Sequence, residues 1–391
     1  LMKHDSVTGV EPEILRWARK SVGLTVTDVA DMLKRHPEEI EAWEDGRAAP
    51  TYPQLEKLAY QIYKRPLAIF FLPSPPEESL PQREFRTLPD ADMQTLARDT
   101  YLHIRRAHAY QIGLQELFDG HNPAERHIWK AITLSQSQDV ASQAANIRDY
   151  LGISLDQQTA WKSDEQALKE WRKTIEGCGV FIFKAAFKQK DISGFCLMDE
   201  HLPVIYLNNS TTKTRQIFSL LHELAHLLLS MNGLSKFDTS YIERLPKREK
   251  EIERFCNAIA AEVLIPGTDF ATQAKQFPTD VESASEEHFS DLADRYGVSR
   301  EAVLRRFLDM GRVSKAFYES KAKFWTAQKQ QGGGGNWYLN QGAYISDRFA
   351  KEVVSRHYRH QITLEHAADL LGIKPKSYAG FEERVLHGPE A

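Results

Sequence analysis

The feature that constrains this chain most is an apolar run that contains two histidines and a glutamate. The stretch FSLLHELAHLLLS, residues 218–230, predicts a helix that buries most of its surface. His222, Glu223 and His226 would be costly there unless other groups satisfied them. Because His222 and His226 lie one helical turn apart, both imidazoles project from one face and can bind one metal ion. Glu223 points about 100° away, close enough to hold a water without being a ligand.

A third ligand is expected from the helix predicted over residues 247–266. Its acidic candidates are Glu249, Glu251, Glu253 and Glu262. Glu253 shares its helical stripe with small and apolar residues, so it is favoured, and Glu249, one turn earlier, is the alternative. Two histidines and one glutamate leave one zinc position for water, as a hydrolytic site requires.

Two neighbours of Glu253 have more than one interpretation. Asn257, one turn further on, is predicted to orient a ligating imidazole through a hydrogen bond. An equally weighted alternative is a hydrogen bond between helices with no role at the metal. We interpret Cys256 as a small core residue.

These residues carry a resemblance to a known family, the ImmA/IrrE metallopeptidases. The matching stretches are GFCLMDEHLPVIYLNNSTTKTRQIFSLLHELAHLLL (194–229) and EIERFCNAIAAEVLIP (251–266). In that family the strand, the H-E-x-x-H helix and the downstream glutamate helix follow in this order. The resemblance implies one Zn²⁺ ion and four site residues, which are the ligands His222, His226 and Glu253 and the general base Glu223.

The two ends of the chain extend the resemblance. Residues 11–72 predict short helices that resemble an XRE-type helix-turn-helix domain. Residues 332–349 and 362–374 look like the C-terminal region of long family members. The glycine-rich part, GGGGNWYLNQ, is most simply a mobile loop. Its functional interpretation is a flap beside the cleft, in which Trp337 and Tyr338 touch substrate.

The predicted fold class is α+β and mostly helical. Short β-rich runs at 179–187, 191–201 and 202–208 predict a small sheet in a zincin-like domain. The last run, LPVIYLN, could bind an extended substrate by edge pairing through Ile205, Tyr206 and Leu207. The predicted division is a helix-turn-helix domain (1–75), a helical linker region (76–170), a metallopeptidase domain (171–312) and a C-terminal region (313–391).

A weak internal repeat raises the question of DNA binding. The stretches 28–40, 291–303 and 367–378 each look like the core of a helix-turn-helix. The predicted recognition helix of the first, PEEIEAWEDG, is acidic and would repel phosphates. Binding of DNA is therefore not favoured, and docking of a partner protein or a second copy of the chain is preferred. The second repeat is more basic, but in the resembling family it belongs to the peptidase fold.

Composition excludes several other classes. The formal charge of −4 gives no general attraction to nucleic acid or anionic membranes. The chain has 3 cysteines and no CxxC pair, which argues for a reducing compartment and against a cysteine zinc cage. The apolar runs are too short for a membrane span, and residues 1–13 show no secretion signal. We expect a cytoplasmic protein that is not bound to membranes.

The leading hypothesis is a zinc endopeptidase that cleaves a protein partner. The family resemblance implies a regulator as substrate, often a helix-turn-helix repressor, in a stress, prophage or defence context. One alternative is a DNA-binding or antitoxin-like regulator whose metal site is mainly structural. A further alternative is a partner-binding scaffold, which would keep its function without zinc.

Overall fold

The computed structural model describes residues 6–78, 85, 90–236, 239–328 and 345–387. The chain forms two compact units, Leu1–Phe85 with Pro89–Arg106 and Arg86–Leu88 with Ala107–Ala391. This division does not test the predicted functional boundaries, which stay predictions. The predicted fold class is confirmed, because the described chain is mostly helical and has one small sheet. Within the described residues, no helix combines the length and apolarity needed to cross a membrane.

Several α-helices begin at a residue whose side chain caps them. In the first unit, for example, Thr25 accepts a hydrogen bond from the Asp28 N–H, and the Asp28 carboxylate accepts one from Thr25 in return. The helices are α1 (Pro12–Lys20), α2 (Val26–Leu33), α3 (Pro37–Glu44), α4 (Tyr52–Lys57), α5 (Asp90–Gln94), α6 (Arg98–Leu117), α7 (Ile128–Ala131), α8 (Val140–Leu151), α9 (Leu155–Thr159), α10 (Asp164–Gly177), α11 (Lys213–Leu228), α12 (Lys247–Leu264), α13 (Gly267–Gln276), α14 (Glu286–Tyr296), α15 (Arg300–Asp309), α16 (Lys315–Gln328), α17 (Asp347–Tyr358), α18 (Leu364–Leu371) and α19 (Tyr378–His387).

Shorter helical turns complete the first unit and flank two helices of the second. A π-helical turn, Leu58–Tyr63, continues α4, and 3-10 turns lie at Leu67–Phe71, Thr239–Arg244 and Pro375–Ser377. The described part of the region predicted as a helical linker, 76–170, contains helices α5 to α9 and the start of α10, which are separated by non-helical stretches.

The three repeats recognised in the sequence share one backbone feature. In each, the first helix ends at a residue in the left-handed conformation, and a second helix follows. That residue is Gly297 (φ 64°) after α14, Gly372 (φ 64°) after α18 and Lys34 (φ 57°) after α2. Glycine adopts this conformation without strain, whereas lysine does so at a cost.

The sheet of the second unit has four strands in the order β1-β3-β2-β4. They are β1 (Phe181–Ala185), β2 (Ile192–Leu197), β3 (Val204–Asn208) and β4 (Gly233–Lys236). β1 is parallel to β3, while β2 is antiparallel to β3 and β4. The first three strands correspond to the predicted β-rich runs. β4 was not predicted, because its sequence GLSK has no alternating apolar pattern.

The position of β3 corrects one prediction. β3 lies between β1 and β2, so its main chain is paired along both edges. The side chains of Ile205, Tyr206 and Leu207 are buried, and Tyr206 stacks on Phe195 of β2 with ring centroids 5.1 Å apart. Edge pairing of a substrate with β3, and contact through these residues, was therefore predicted wrongly.

Helices α11 and α12 pack against each other and carry the two histidines and two glutamates of the predicted zinc site. α11 begins at Thr212, whose hydroxyl accepts a hydrogen bond from the Arg215 N–H, and its inward face packs on the sheet. α12 begins after Pro246 and ends just before Pro266, as the proline positions predict. The two helices share one hydrophobic core, so polar groups on their facing sides are removed from water.

Candidate metal centre

Three side chains from α11 and α12 converge in the core of the second unit. The Nε2 atoms of His222 and His226 are 3.1 Å apart. The Glu253 carboxylate places Oε2 3.3 Å from His222 Nε2 and Oε1 3.1 Å from His226 Nε2. Each residue thus offers one ligand atom, all within 4.8 Å of one another. Two imidazoles and one carboxylate are a donor set that suits a divalent transition metal.

The surroundings of these atoms suit the binding of a cation. His226, Glu253 and Glu223 are fully buried, and His222 is 4% exposed. Glu223 Oε1 and Oε2, Glu253 Oε1 and His222 Nδ1 have no hydrogen-bond partner among the described residues. A buried carboxylate without partners is unfavourable, so a group that compensates it is expected at this place.

The charges in the centre act on each other. Burial alone would raise the pKa of Glu253, but His226 and His222 oppose it and lower this pKa to about 2. Burial alone would lower the pKa of His226, but Cys256 and Glu253 outweigh it, so the pKa is raised. Without a metal, a proton on His226 therefore balances the Glu253 carboxylate. The same proton must leave before His226 can bind a metal.

Glu223 lies beside the three converging atoms and touches β4. A Cβ atom added at Gly233 would come within 2.5 Å of the His226 ring and 2.9 Å of Glu223 Oε2. Any larger residue at 233 would displace one of them. On β2, burial and then the Glu223 charge raise the pKa of the Cys196 thiol, which accepts a hydrogen bond from the Gly233 N–H at 3.2 Å.

The alternative third ligands lie elsewhere. Glu249 is half-buried one turn before Glu253, and Glu251 is exposed. Glu262 pairs with Arg306 and accepts a hydrogen bond from the Gly267 N–H. The carboxylate that meets both histidines is that of Glu253.

Asn257 does not make the predicted contact. It is half-buried, and within the part of the chain that the structure describes it forms no hydrogen bond to His222 or His226 or across to another helix. The atom next to His226 Nδ1 is the Cys256 Sγ, 3.7 Å away. Trp337 and Tyr338, predicted to touch substrate, lie outside the described residues.

Sequence reasoning missed three residues at the centre. Gly233 and Tyr241 lie beyond the end of α11, in segments with no periodic pattern, and Cys256 was interpreted as core alone. Tyr241 donates a hydrogen bond from its hydroxyl to Glu253 Oε2 at 2.7 Å. The usable signal for Cys256 was its place three residues after Glu253, on the same inward face of α12.

A comparison with known protein families gives a match over the segment that contains this site. Residues 175–308, about a third of the chain, match the family model Peptidase_M78, described as the IrrE N-terminal-like domain. This segment is similar to ImmA/IrrE-type domains, which suggests a metallopeptidase, and it contains the sheet, α11 and α12. No curated protein matches the chain. The match does not reach the N-terminal helices, whose resemblance to an XRE-type domain stays a prediction.

Proposed function

We propose that the chain is a zinc endopeptidase whose catalytic centre is formed by His222, His226, Glu253 and Glu223. The observation that carries this proposal is the buried Glu223 carboxylate, which has no hydrogen-bond partner among the described residues and lies beside the converging ligands. His222, His226 and Glu253 would hold the ion, and Glu223 would act on water.

The chemistry follows from these positions. Bound there, a zinc ion supplies Lewis acidity, which lowers the pKa of water and polarises a peptide carbonyl. Glu223 accepts the proton of the attacking water at a carboxylate oxygen. It then donates this proton to the nitrogen of the leaving amine as the C–N bond breaks. Gly233 leaves room for Glu223 and His226 to lie side by side.

The substrate we propose is a protein, in the first place a helix-turn-helix repressor in a stress, prophage or defence context. The support is the resemblance of the matched domain to ImmA/IrrE metallopeptidases. A cytoplasmic location fits such a substrate and the three free cysteines, which are all buried.

DNA binding is not favoured, for reasons of charge. In the first unit Arg16 and Arg47 pair with Asp45, and Arg35 pairs with Glu39 at the edge of contact distance. The basic residues near α3 are therefore compensated by its own acidic ones. We propose that the surface around α3 binds a protein partner or a second copy of the chain.

The basic residues of the second repeat are compensated as well. Each of the four arginines between residues 291 and 306 has a carboxylate partner, which argues for a structural role. The pairs are Arg295 with Asp269, Arg300 with Glu286, Arg305 with Asp309 and Arg306 with Glu262.

One observation favours a second candidate, a regulator with a structural metal site. The centre is almost completely buried, as structural sites are, so a substrate reaches it only if covering residues move. A structural site, however, has no use for an unpaired carboxylate next to the ion.

The test compares Glu223→Gln with the parent and with Glu249→Gln as the matched control. Loss of a general base typically lowers a rate by about 10²–10⁴-fold. We expect Glu223→Gln to hold zinc as the parent does and to lose cleavage of a co-expressed repressor encoded next to the gene, while Glu249→Gln keeps both. Zinc is measured by elemental analysis and cleavage by gel. Normal cleavage by Glu223→Gln would exclude the mechanism, and loss of its zinc would favour the structural alternative.

A further inference from the structure

Two further side chains contact the converging ligands. The Tyr241 hydroxyl donates to Glu253 Oε2 at 2.7 Å, and the Cys256 Sγ lies 3.7 Å from His226 Nδ1. Tyr241 is 2% exposed and Cys256 is fully buried. Neither contact is made to an atom that would have to bind a metal.

The Tyr241 contact makes the two carboxylate oxygens of Glu253 different. Oε2 accepts the hydrogen bond from Tyr241 and lies 3.3 Å from His222 Nε2, whereas Oε1 lies 3.1 Å from His226 Nε2. The Tyr241 hydroxyl is itself fixed by a hydrogen bond from the main chain of Lys236, at the end of β4. One lone pair of Oε2 is therefore taken by a group that is not a proposed ligand, whereas the described neighbour of Oε1 is a proposed ligand, His226.

The Cys256 contact acts on the tautomer of His226. A neutral imidazole carries one N–H, and the nitrogen without it is the one that can bind a metal. If Nδ1–H donates to the Cys256 sulfur, the lone pair lies on Nε2. His226 Nε2 is the atom that points towards His222 and Glu253.

We propose that Tyr241 and Cys256 are positioning residues for the metal centre: Tyr241 makes Glu253 a ligand through Oε1, and Cys256 fixes His226 as a ligand through Nε2. The inference rests on the proposed function as far as the metal is concerned. It assigns no step of the reaction to either residue. Partners of this kind typically change metal affinity by about 10–100-fold when they are removed.

The chain contains a matched control for each residue. Tyr296 is also buried, and its hydroxyl also donates to a carboxylate, Asp269 Oδ2, at 2.6 Å. Cys178 is buried as well and lies at the end of α10. Both are in the same unit but are not among the residues that contact His222, His226 or Glu253.

The experiment titrates the metal-free, full-length protein with Co²⁺ and Zn²⁺ against a competing chelator and records the Co²⁺ absorption spectrum. The variants are Tyr241→Phe, Cys256→Ala and Cys256→Ser, with Tyr296→Phe and Cys178→Ala as controls. We expect Tyr241→Phe and Cys256→Ala to weaken binding about 10–100-fold and to change the spectrum. Cys256→Ser keeps an acceptor beside Nδ1 and should recover part of the loss.

Three outcomes would overturn the proposal. Parent-like affinity and spectrum in both Tyr241→Phe and Cys256→Ala would show that the contacts only pack the core, while leaving the proposed function intact. An equal loss of affinity in Tyr296→Phe and Cys178→Ala would show a general effect of stability. A parent protein that binds no metal would overturn this proposal and the proposed function together.

Discussion

Two of the clusters in which the molecule buries charge differ in how their polar atoms are satisfied. In the first unit, Arg19 grips Glu44 with two hydrogen bonds of 2.7 and 2.8 Å, and its remaining nitrogen donates to the Leu24 carbonyl at 2.9 Å. Glu44 is 4% exposed. In the second unit, four titratable side chains meet with four of their polar atoms left without a hydrogen bond from the described residues.

The difference in satisfied polar atoms distinguishes an ion pair that orders the fold, in the first unit, from a cluster that suits a ligand, in the second. A buried ion pair with every atom satisfied orders the helices that carry it and needs nothing more. A buried cluster with free lone pairs costs stability in the bare protein, and such groups persist where a ligand or a reaction uses them. The number of titratable residues is thus a weaker sign of function than the number of their unsatisfied atoms.

The largest effect is expected from a substitution that disrupts the second cluster, and it is an effect on metal affinity. Glu253→Ala removes a proposed ligand itself, whereas Tyr241→Phe and Cys256→Ala remove only partners of proposed ligands. Metal affinity should therefore fall by more than the about 10–100-fold typical of such partners. Glu249→Ala, one turn earlier on the same helix, should bind metal as the parent does. Chelator competition measures both. Full metal retention in Glu253→Ala would move the ligand to another carboxylate.

A substitution in the first cluster should change the free energy of unfolding but not metal affinity. Glu44→Gln weakens the charged hydrogen bonds to Arg19 and should lower the free energy of unfolding by about 2 kcal/mol, within the range of about 1.5–3 kcal/mol for bonds to charged groups. Metal affinity should not change. Urea unfolding and metal titration of the same sample test this contrast, and an unchanged stability would mean that the pair is not a structural element.

The pH dependence of the metal-free protein sharpens the comparison. The folded pKa of His226 lies above its ordinary value of 6.5, so its proton stabilises the fold fully below pH 6.5. This contribution is lost as pH rises through the folded pKa, by at most about 1.4 kcal/mol per pH unit. Arg19 keeps its charge over this range, because its hydrogen bond to Glu44 raises its pKa.

We therefore expect the free energy of unfolding of the metal-free protein to fall as pH rises above 6.5. The fall should be smaller in the metal-free His226→Gln variant. Thermal unfolding at several pH values after removal of metal gives the measurement. The same slope in the parent and in His226→Gln would contradict a proton shared between His226 and Glu253.

The smallest expected effect concerns Lys34, outside both clusters. Lys34→Gly removes the backbone strain of a non-glycine residue in the left-handed conformation, which is about 1–2 kcal/mol. The greater flexibility of glycine in the unfolded chain offsets part of this gain, so the first unit should be stabilised by up to about 1 kcal/mol. Gly297→Ala is the reverse change at the matching turn, where a Cβ would have room, and should destabilise. Calorimetry of both variants decides whether these turns are equivalent.

The sequence by itself determined the parts of the centre that lie within one helix. The spacing of His222, Glu223 and His226 sets their directions on α11, because side-chain direction in a helix repeats every 3.6 residues. The apolar stripe of α12 and the family resemblance likewise indicated Glu253. Three of the strands could be predicted because each lies in a short run rich in apolar, aromatic and β-branched residues.

Only the tertiary structure decided which groups surround those side chains. The order β1-β3-β2-β4 places β3 inside the sheet, and no local pattern encodes the partner of a strand. Gly233, Tyr241 and Cys256 acquire their roles from atoms that are distant in sequence or on another helix. Local periodicity fixes where a side chain points, whereas the packing of separate elements fixes what it meets.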